Sequence, residues 1–194
     1  VCYLYGLYGY SARGAAMSLK SSPTRYGGIA VTIHWLTAIA ILFMLGTGLA
    51  ANNTGDPAVE LVLLRSHVIM GALVLVLTLF RILWWLAFDR RPKEQAGMAR
   101  GQVIAANVVH YGLYVVVLVL VASGVGAVLY SGANQQLFGG APLPLPDFAA
   151  VPPFGVHAIL VRVLVALLVG HIGAALWHQF VRRDRLLARM GVGR

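Results

Sequence analysis

Six histidines, His34, His67, His110, His157, His171 and His178, are the residues of this chain best suited to chemistry, and the last three stand at intervals of fourteen and seven in one apolar stretch. At about 3.6 residues per turn these three share one helix face, and His157 and His171 lie roughly 21 Å apart along it at about 1.5 Å per residue. That is most of the way across a hydrocarbon core of about 30 Å. One helix therefore offers an imidazole near each surface of a membrane. A polar ring in lipid is costly unless bound or hydrogen-bonded, and six of them spread over several helix ends favour ligation over filler. For any one alone, an interfacial histidine bonded to a backbone carbonyl is the plainer reading.

The elements that must position these rings follow from composition. A chain of 194 residues with 59% hydrophobic content and a mean hydropathy of +0.80 is no ordinary soluble domain. Four stretches, 29–51, 61–88, 104–130 and 154–181, are long and apolar enough to span a bilayer. They predict an all-α fold, an integral membrane four-helix bundle over 26–184, with a flexible N-terminal tail at 1–25 and a basic tail at 185–194. The net charge of +9 is distributed by topology. Lys20 and Arg25 precede the first span; Arg90, Arg91, Lys93 and Arg100 fill the second connection; Arg182, Arg183, Arg185, Arg189 and Arg194 follow the fourth. The positive-inside pattern makes both termini cytoplasmic, and the surplus reads as attraction to anionic lipid rather than to nucleic acid. The remaining connections carry Asp56, Glu60 and Asp147, with Arg65 the basic residue near that surface.

Depth then pairs the histidines. His34 enters about two turns past Arg25, and His171 lies two to three turns from the Arg182 cluster. His67 and His157 both sit just inside the outer surface. His110, opening the third span at the inner surface, and His178, closing the fourth, fall outside the pairs. Two imidazoles from separate helices, with no Cys, Asp or Glu nearby, make a poor zinc site, which wants four ligands. They suit the two axial positions of haem iron, whose macrocycle supplies the other four nitrogens. The lone Cys2 excludes an internal disulfide and the C-x-x-C-H attachment, so a haem here is held by coordination alone. Gly71, Gly170 and Gly173 give clearance for a flat macrocycle or serve close helix packing.

Two arginines in the spans need partners. Arg81 lies near the inner end of the second span, at the depth of a haem propionate or a quinone oxygen, or snorkels to the headgroups. Arg162, five residues inside His157, pairs with a propionate of the outer haem or turns to the surface. The proline-rich connection 131–153 is expected to be an ordered, polyproline-like lid over the outer haem, or else a simple linker. Residues 1–16 lack the apolar core of a secretory signal, and Met17 is an alternative start.

Three stretches carry a resemblance. I-H-W-L at 33–36, R-S-H-V-I-M-G at 65–71 with Arg81 fourteen after His67, and H-A-I-L-V-R-V-L-V-A-L-L-V-G-H-I-G-A-A-L-W-H-Q-F-V-R-R-D at 157–184 are similar to the bacterial cytochrome b561 family over about Tyr26 to Gly193. The resemblance implies two b haems in a bacterial inner membrane, His34 with His171 for the inner and His67 with His157 for the outer, in agreement with depth. It implies electron exchange with quinone, and for some members oxidation of superoxide outside with reduction of ubiquinone. With both axial positions filled, transfer runs through the haem edge. A quinone takes two electrons and two protons, which makes His110 and His178 candidates for the catalytic proton donors.

Three classes of function follow: a free-standing quinone-linked oxidoreductase of the superoxide oxidase type, a cytochrome b anchor for a peripheral dehydrogenase or hydrogenase subunit, and a haem-free transporter or scaffold. The compact loops favour the first.

Overall fold

Within lipid the backbone finds no partner but itself, so apolar runs of this length must form helices. The computed structural model describes residues 18–94 and 97–192, and among these it contains helices and no strand. Four helices are long and apolar enough to cross a membrane: Gly28–Asn53, Pro57–Phe88, Arg100–Ser131 and Pro152–Arg182. The chain is a multi-pass membrane protein. The first is α1. The second is α2, Pro57–Leu83, prolonged by a π-helical turn at Trp84–Phe88, and the third is α3. A short α4, Asn134–Phe138, and a 3-10 turn at Phe148–Ala150 precede α5, Pro152–Trp177, which also ends in a π-helical turn, His178–Arg182. A last 3-10 turn covers Leu186–Met190.

The boundaries have local causes. Asp56 caps α2 by accepting from the Ala58 amide at 2.8 Å, with Pro57 at the first position, where its missing N–H is not needed. Gly132, at a φ of 75°, ends α3 in the left-handed conformation that glycine adopts without strain. Pro152 and Pro153 open α5.

Packing divides the bundle into two hairpins, α1 on α2 and α3 on α5, joined along α2 and α3. The shared core is Ala40, Val74, Val116, Val117, Leu120 and Leu164. Lipid competes for apolar surface as well as protein does, so close fit rather than hydrophobic burial holds these helices together. Much of α5 stays uncovered, Leu164 being its fully buried apolar residue. It faces α1 across an apolar groove of about 420 Å³ between Leu42 and Leu45 on one side and Val165, Leu168 and Ile172 on the other.

Both ends of the described chain meet at one end of the bundle, called here the terminal end. Residues 18–25, expected as part of a flexible tail, are held there. The Asp89 carboxylate accepts from the Ser21 hydroxyl at 2.8 Å, the Ser21 amide at 3.1 Å and the Trp84 indole at 3.2 Å. The Arg189 guanidinium donates to the carbonyls of Thr24 at 3.0 Å and Lys93 at 2.6 Å, and Trp35 donates to Met190 at 3.2 Å. An ionised acceptor that recruits several donors orders a polar segment that composition alone leaves loose. Residues 1–17, with Cys2 and Met17, lie outside the described residues.

Burial opposes ionisation of Asp89, but the donors from Ser21, Arg90 and Trp84 outweigh it and hold its carboxyl below the usual range. A depressed carboxylate contributes stability that is present above its unfolded pKa of about 3.9 and is lost as pH falls through the lower folded value. Asp89→Ala is expected to loosen the clasp by about 1 kcal/mol, since solvent screens a part-exposed site. Faster hydrogen exchange at the Ser21 amide, matched in the unaltered protein only on acidification below about pH 4, is the measurement that checks it.

Candidate haem sites

The bundle gathers four imidazoles into two facing pairs. His67 on α2 and His157 on α5 face each other at the far end with ring centroids 6.2 Å apart. Nearer the terminal end, His34 on α1 and His171 on α5 also stand 6.2 Å apart. Two imidazoles bound end-on to one metal at about 2 Å each, with about 1 Å more from nitrogen to ring centre, give a centroid separation of roughly 6 Å. The inter-ring angles, 67° and 70°, are also alike. His110 on α3 approaches His171 to 5.3 Å, closer than a shared metal would place it. Among the described residues no group of three or more His, Cys, Asp or Glu converges as for a bare metal ion. Two-imidazole donor sets in apolar surroundings fit an iron whose other ligands come from a macrocycle.

Hydrogen bonding at the far pair fits the same group. His67 Nδ1 lies 3.1 Å from the Met44 carbonyl and 3.3 Å from Thr47 Oγ1. His157 Nδ1 lies 3.0 Å from the Leu120 carbonyl and 3.2 Å from Ser123 Oγ. A carbonyl can only accept, so Nδ1 carries the proton in each ring and Nε2 keeps its lone pair for a metal. Glycines make the approach possible: a Cβ at Gly48 would stand 3.1 Å from His67 Cε1, and one at Gly124 would stand 3.3 Å from His157 Cε1.

The near pair is built differently. Arg81 Nη1 donates to His34 Nδ1 at 3.0 Å, while Arg81 Nε is buried without a partner. A guanidinium has five donors and no acceptor, so this contact leaves the His34 proton on Nε2. Binding a metal through Nε2 requires the proton on Nδ1 and a turn of Arg81 toward an anion, which its orphaned Nε already lacks. A haem propionate is such an anion. Arg81 also lies 5.8 Å from the Tyr114 ring centroid.

The remaining candidates are placed as follows. His110 does not open α3 at the surface: α3 begins at Arg100, so His110 is about three turns in and level with His171. His178 is buried at 6% exposure, 2.5 Å from the Asp184 carboxylate through Nδ1. Its neighbours are Trp177 and Asp184, whereas His110 lies against His171. Arg162 is exposed and donates to the Ala158 carbonyl at 3.2 Å, one turn toward the far surface, which is the snorkelling geometry. Arg65 donates to the carbonyls of Leu137 and Gln136 and so pins α4. The connection 131–153 is ordered by that clamp and by Ala133 and Leu137, buried to 0% and 1%, with a helix in its first part where polyproline-like chain was expected. Of the glycines expected near the ligands, Gly170 and Gly173 face open space and Gly71 faces Met44.

Thr47, Gly48, Ser123 and Gly124 escaped the sequence reading, although the chain signals them. Thr47-Gly48 follows His34 by thirteen and fourteen residues, and Ser123-Gly124 follows His110 by the same interval. Likewise Arg81 follows His67, and His171 follows His157, by fourteen. The two hairpins thus repeat one pattern, and the glycines that lie against the far rings, Gly48 and Gly124, come from the neighbouring helix rather than from the helix that carries the histidine.

Comparison with known proteins agrees with this donor set. A sequence model of prokaryotic cytochrome b561 matches residues 25–193. The chain is 32% identical to cytochrome b561 homolog 2 of Escherichia coli (strain K12) over 187 residues, covering 90% of this chain and 95% of that one. It is 25% identical to cytochrome b561 homolog 1 of the same organism, covering 86% and 96%. To cytochrome b562 of Cereibacter sphaeroides it is 31% identical, covering 85% and 94%. With a bundle of four apolar helices and imidazoles facing each other inside it, the chain belongs to the prokaryotic cytochrome b561 family, membrane proteins that transfer electrons through haem b.

Proposed function

We propose that this protein is a di-haem quinone-linked oxidoreductase of a bacterial inner membrane, with both termini cytoplasmic, that takes single electrons on the outer side and delivers them to ubiquinone. The observation that carries the reading is the pair of imidazole couples with equal 6.2 Å separations at different depths. His67 and His157 hold the outer haem, and His34 and His171 the inner one. Haem b held between two imidazoles would supply a one-electron couple that needs no open coordination position.

The protein's own groups do the rest. Nδ1–H bonds to Met44 and Leu120 keep the outer imidazoles in the ligating tautomer. Arg81 holds an anionic oxygen of the inner haem or of the quinone. His110, beside His171, and His178, bonded to Asp184 near the terminal surface, supply the protons that quinone reduction consumes. The lid held by Arg65 limits water at the outer site.

Superoxide is the sharpest donor, because an outer-sphere one-electron donor needs no open iron position. A second reading draws on charge. Arg65, which keeps its charge while bound to α4, and Arg162 are set against Asp56, Glu60 and Asp147, which leaves the far rim slightly acidic and better suited to a basic partner subunit than to an anion. In that case the chain is the membrane anchor of a dehydrogenase or hydrogenase, and a stable partner copurifies in mild detergent.

His157→Ala is expected to remove the outer haem and leave the inner one, and His171→Ala the reverse, each roughly halving haem content per chain. Haem absorbance and redox titration of the purified variants check it, and full haem in both would refute the pairing. Reduction of the b-type absorption band by a superoxide source, reversed by ubiquinone, is expected of the native protein. A band that quinol reduces and superoxide does not would select the anchor. His178→Ala should slow quinone turnover roughly 100-fold with both haem spectra retained, as loss of a positioned proton donor does; an unaltered rate in stopped-flow would remove His178 from the site.

A further inference from the structure

Thr47 and Ser123 lie outside the histidines and arginines that carry the proposed function, yet each holds the same position beside an imidazole of the far pair. In α1, the Met44 carbonyl, the Thr47 hydroxyl three residues on and Gly48 four residues on surround the His67 ring. In α3, the Leu120 carbonyl, the Ser123 hydroxyl and Gly124 surround His157 with the same spacing. The hydroxyl protons are accounted for. Thr47 donates to the carbonyl of Phe43 at 3.1 Å or Met44 at 3.2 Å, and Ser123 donates to that of Leu120 at 2.9 Å. Each hydroxyl oxygen therefore turns a lone pair to Nδ1–H, which it shares with the carbonyl.

Back-bonded hydroxyls are common in membrane helices and need no function. Thr37 shows that plain case, buried and donating to Ile33 at 2.7 Å, with no hydrogen bond to an imidazole among the described residues. Thr47 and Ser123 differ by a second contact, made twice, at equivalent places in two hairpins that repeat the same spacing. The absent side chains at Gly48 and Gly124 bring each ring flush against the neighbouring helix, where the preceding hydroxyl reaches it.

We propose that Thr47 and Ser123 are positioning residues for the far pair: together with the Met44 and Leu120 carbonyls they hold the Nδ1 protons of His67 and His157, fix the ring planes, and lower the reduction potential of the haem bound between them. The inference rests on the haem ligation proposed above. An imidazole whose Nδ1–H is drawn toward two acceptors is a stronger donor at Nε2, and a stronger axial donor favours the ferric state. The near pair has the opposite surroundings. Arg81 brings a cation to this end of the bundle, and among the described residues no carbonyl is hydrogen-bonded to His34 Nδ1 as those of Met44 and Leu120 are to the far rings. A nearby cation favours the less positive, ferrous state. The two sites are thereby ordered in potential, far below near.

The test is a redox titration of the purified holoprotein, with low-spin electron paramagnetic resonance and haem-release kinetics. Thr47→Val and Ser123→Ala are expected to raise the potential of the far haem alone, shift its resonance, and speed haem release from that site roughly ten-fold, the usual scale for a lost partner of a metal ligand. Thr47→Ser and Ser123→Thr should retain the native values. Thr37→Val, which removes a hydroxyl that is not hydrogen-bonded to an imidazole, should leave the far-haem potential unchanged. A Thr47→Val protein that takes up no far haem while Thr47→Ser takes it up also supports positioning. Unchanged far-haem potential and resonance in both Thr47→Val and Ser123→Ala, or equal shifts at both haems, would overturn the inference while leaving the ligation intact. Full haem in His67→Ala and His157→Ala would overturn the ligation itself, a separate outcome.

Discussion

An imidazole has two nitrogens, and inside an apolar bundle each must be given something to do. That requirement organises much of this structure. At the far end, one nitrogen of His67 and of His157 is committed to a carbonyl of the adjacent helix, which leaves the other to face the opposite ring. The commitment in turn demands glycine at residues 48 and 124, since a methyl group there would press on the ring. It also demands that α1 lie against α2 and α3 against α5, because the carbonyls come from those neighbours. The two-hairpin division of the bundle is the large-scale form of this local need.

The open side of the bundle has the same origin. Helices in lipid gain little from hiding apolar side chains, so a groove between α1 and α5 costs less than it would in water. Imidazole pairs bridge the gap where α5 meets α1 and α2, at a spacing suited to a shared metal. A bundle closed tightly across this side would have no room for a macrocycle. Where the chain leaves the membrane, polar interactions again become decisive: Asp89, Arg189 and Arg65 each tie a connection down by addressing backbone groups that lipid cannot satisfy.

The two pairs stand in contrasting surroundings. Far from the termini the rings are surrounded by acceptors. Near the termini they share space with Arg81, whose Nε is without a partner, and with a third imidazole, His110. The repeated hairpin makes the difference informative, since Arg81 stands at the interval from His67 that His171 keeps from His157. One hairpin carries a ligand-type side chain at that place and the other carries a cation.

Read without coordinates, the chain reveals an all-helical membrane bundle, because runs of more than twenty apolar residues have few other solutions and because boundary residues such as Asp56-Pro57 and Gly132 punctuate them. The period of the helix also places His157 and His171 on one face, so depth alone suggests their partners. What it cannot reveal is which helix lends a carbonyl, a hydroxyl or a clearing glycine, since those come from residues remote in sequence: Met44 is twenty-three residues from His67 and Leu120 thirty-seven from His157. Nor does spacing show that Arg65 is spent on α4 or that His110 lies level with His171. Helical periodicity fixes the direction of a side chain on its own axis. The rotation and offset of one axis against another depend on close packing, and those decide what each imidazole meets.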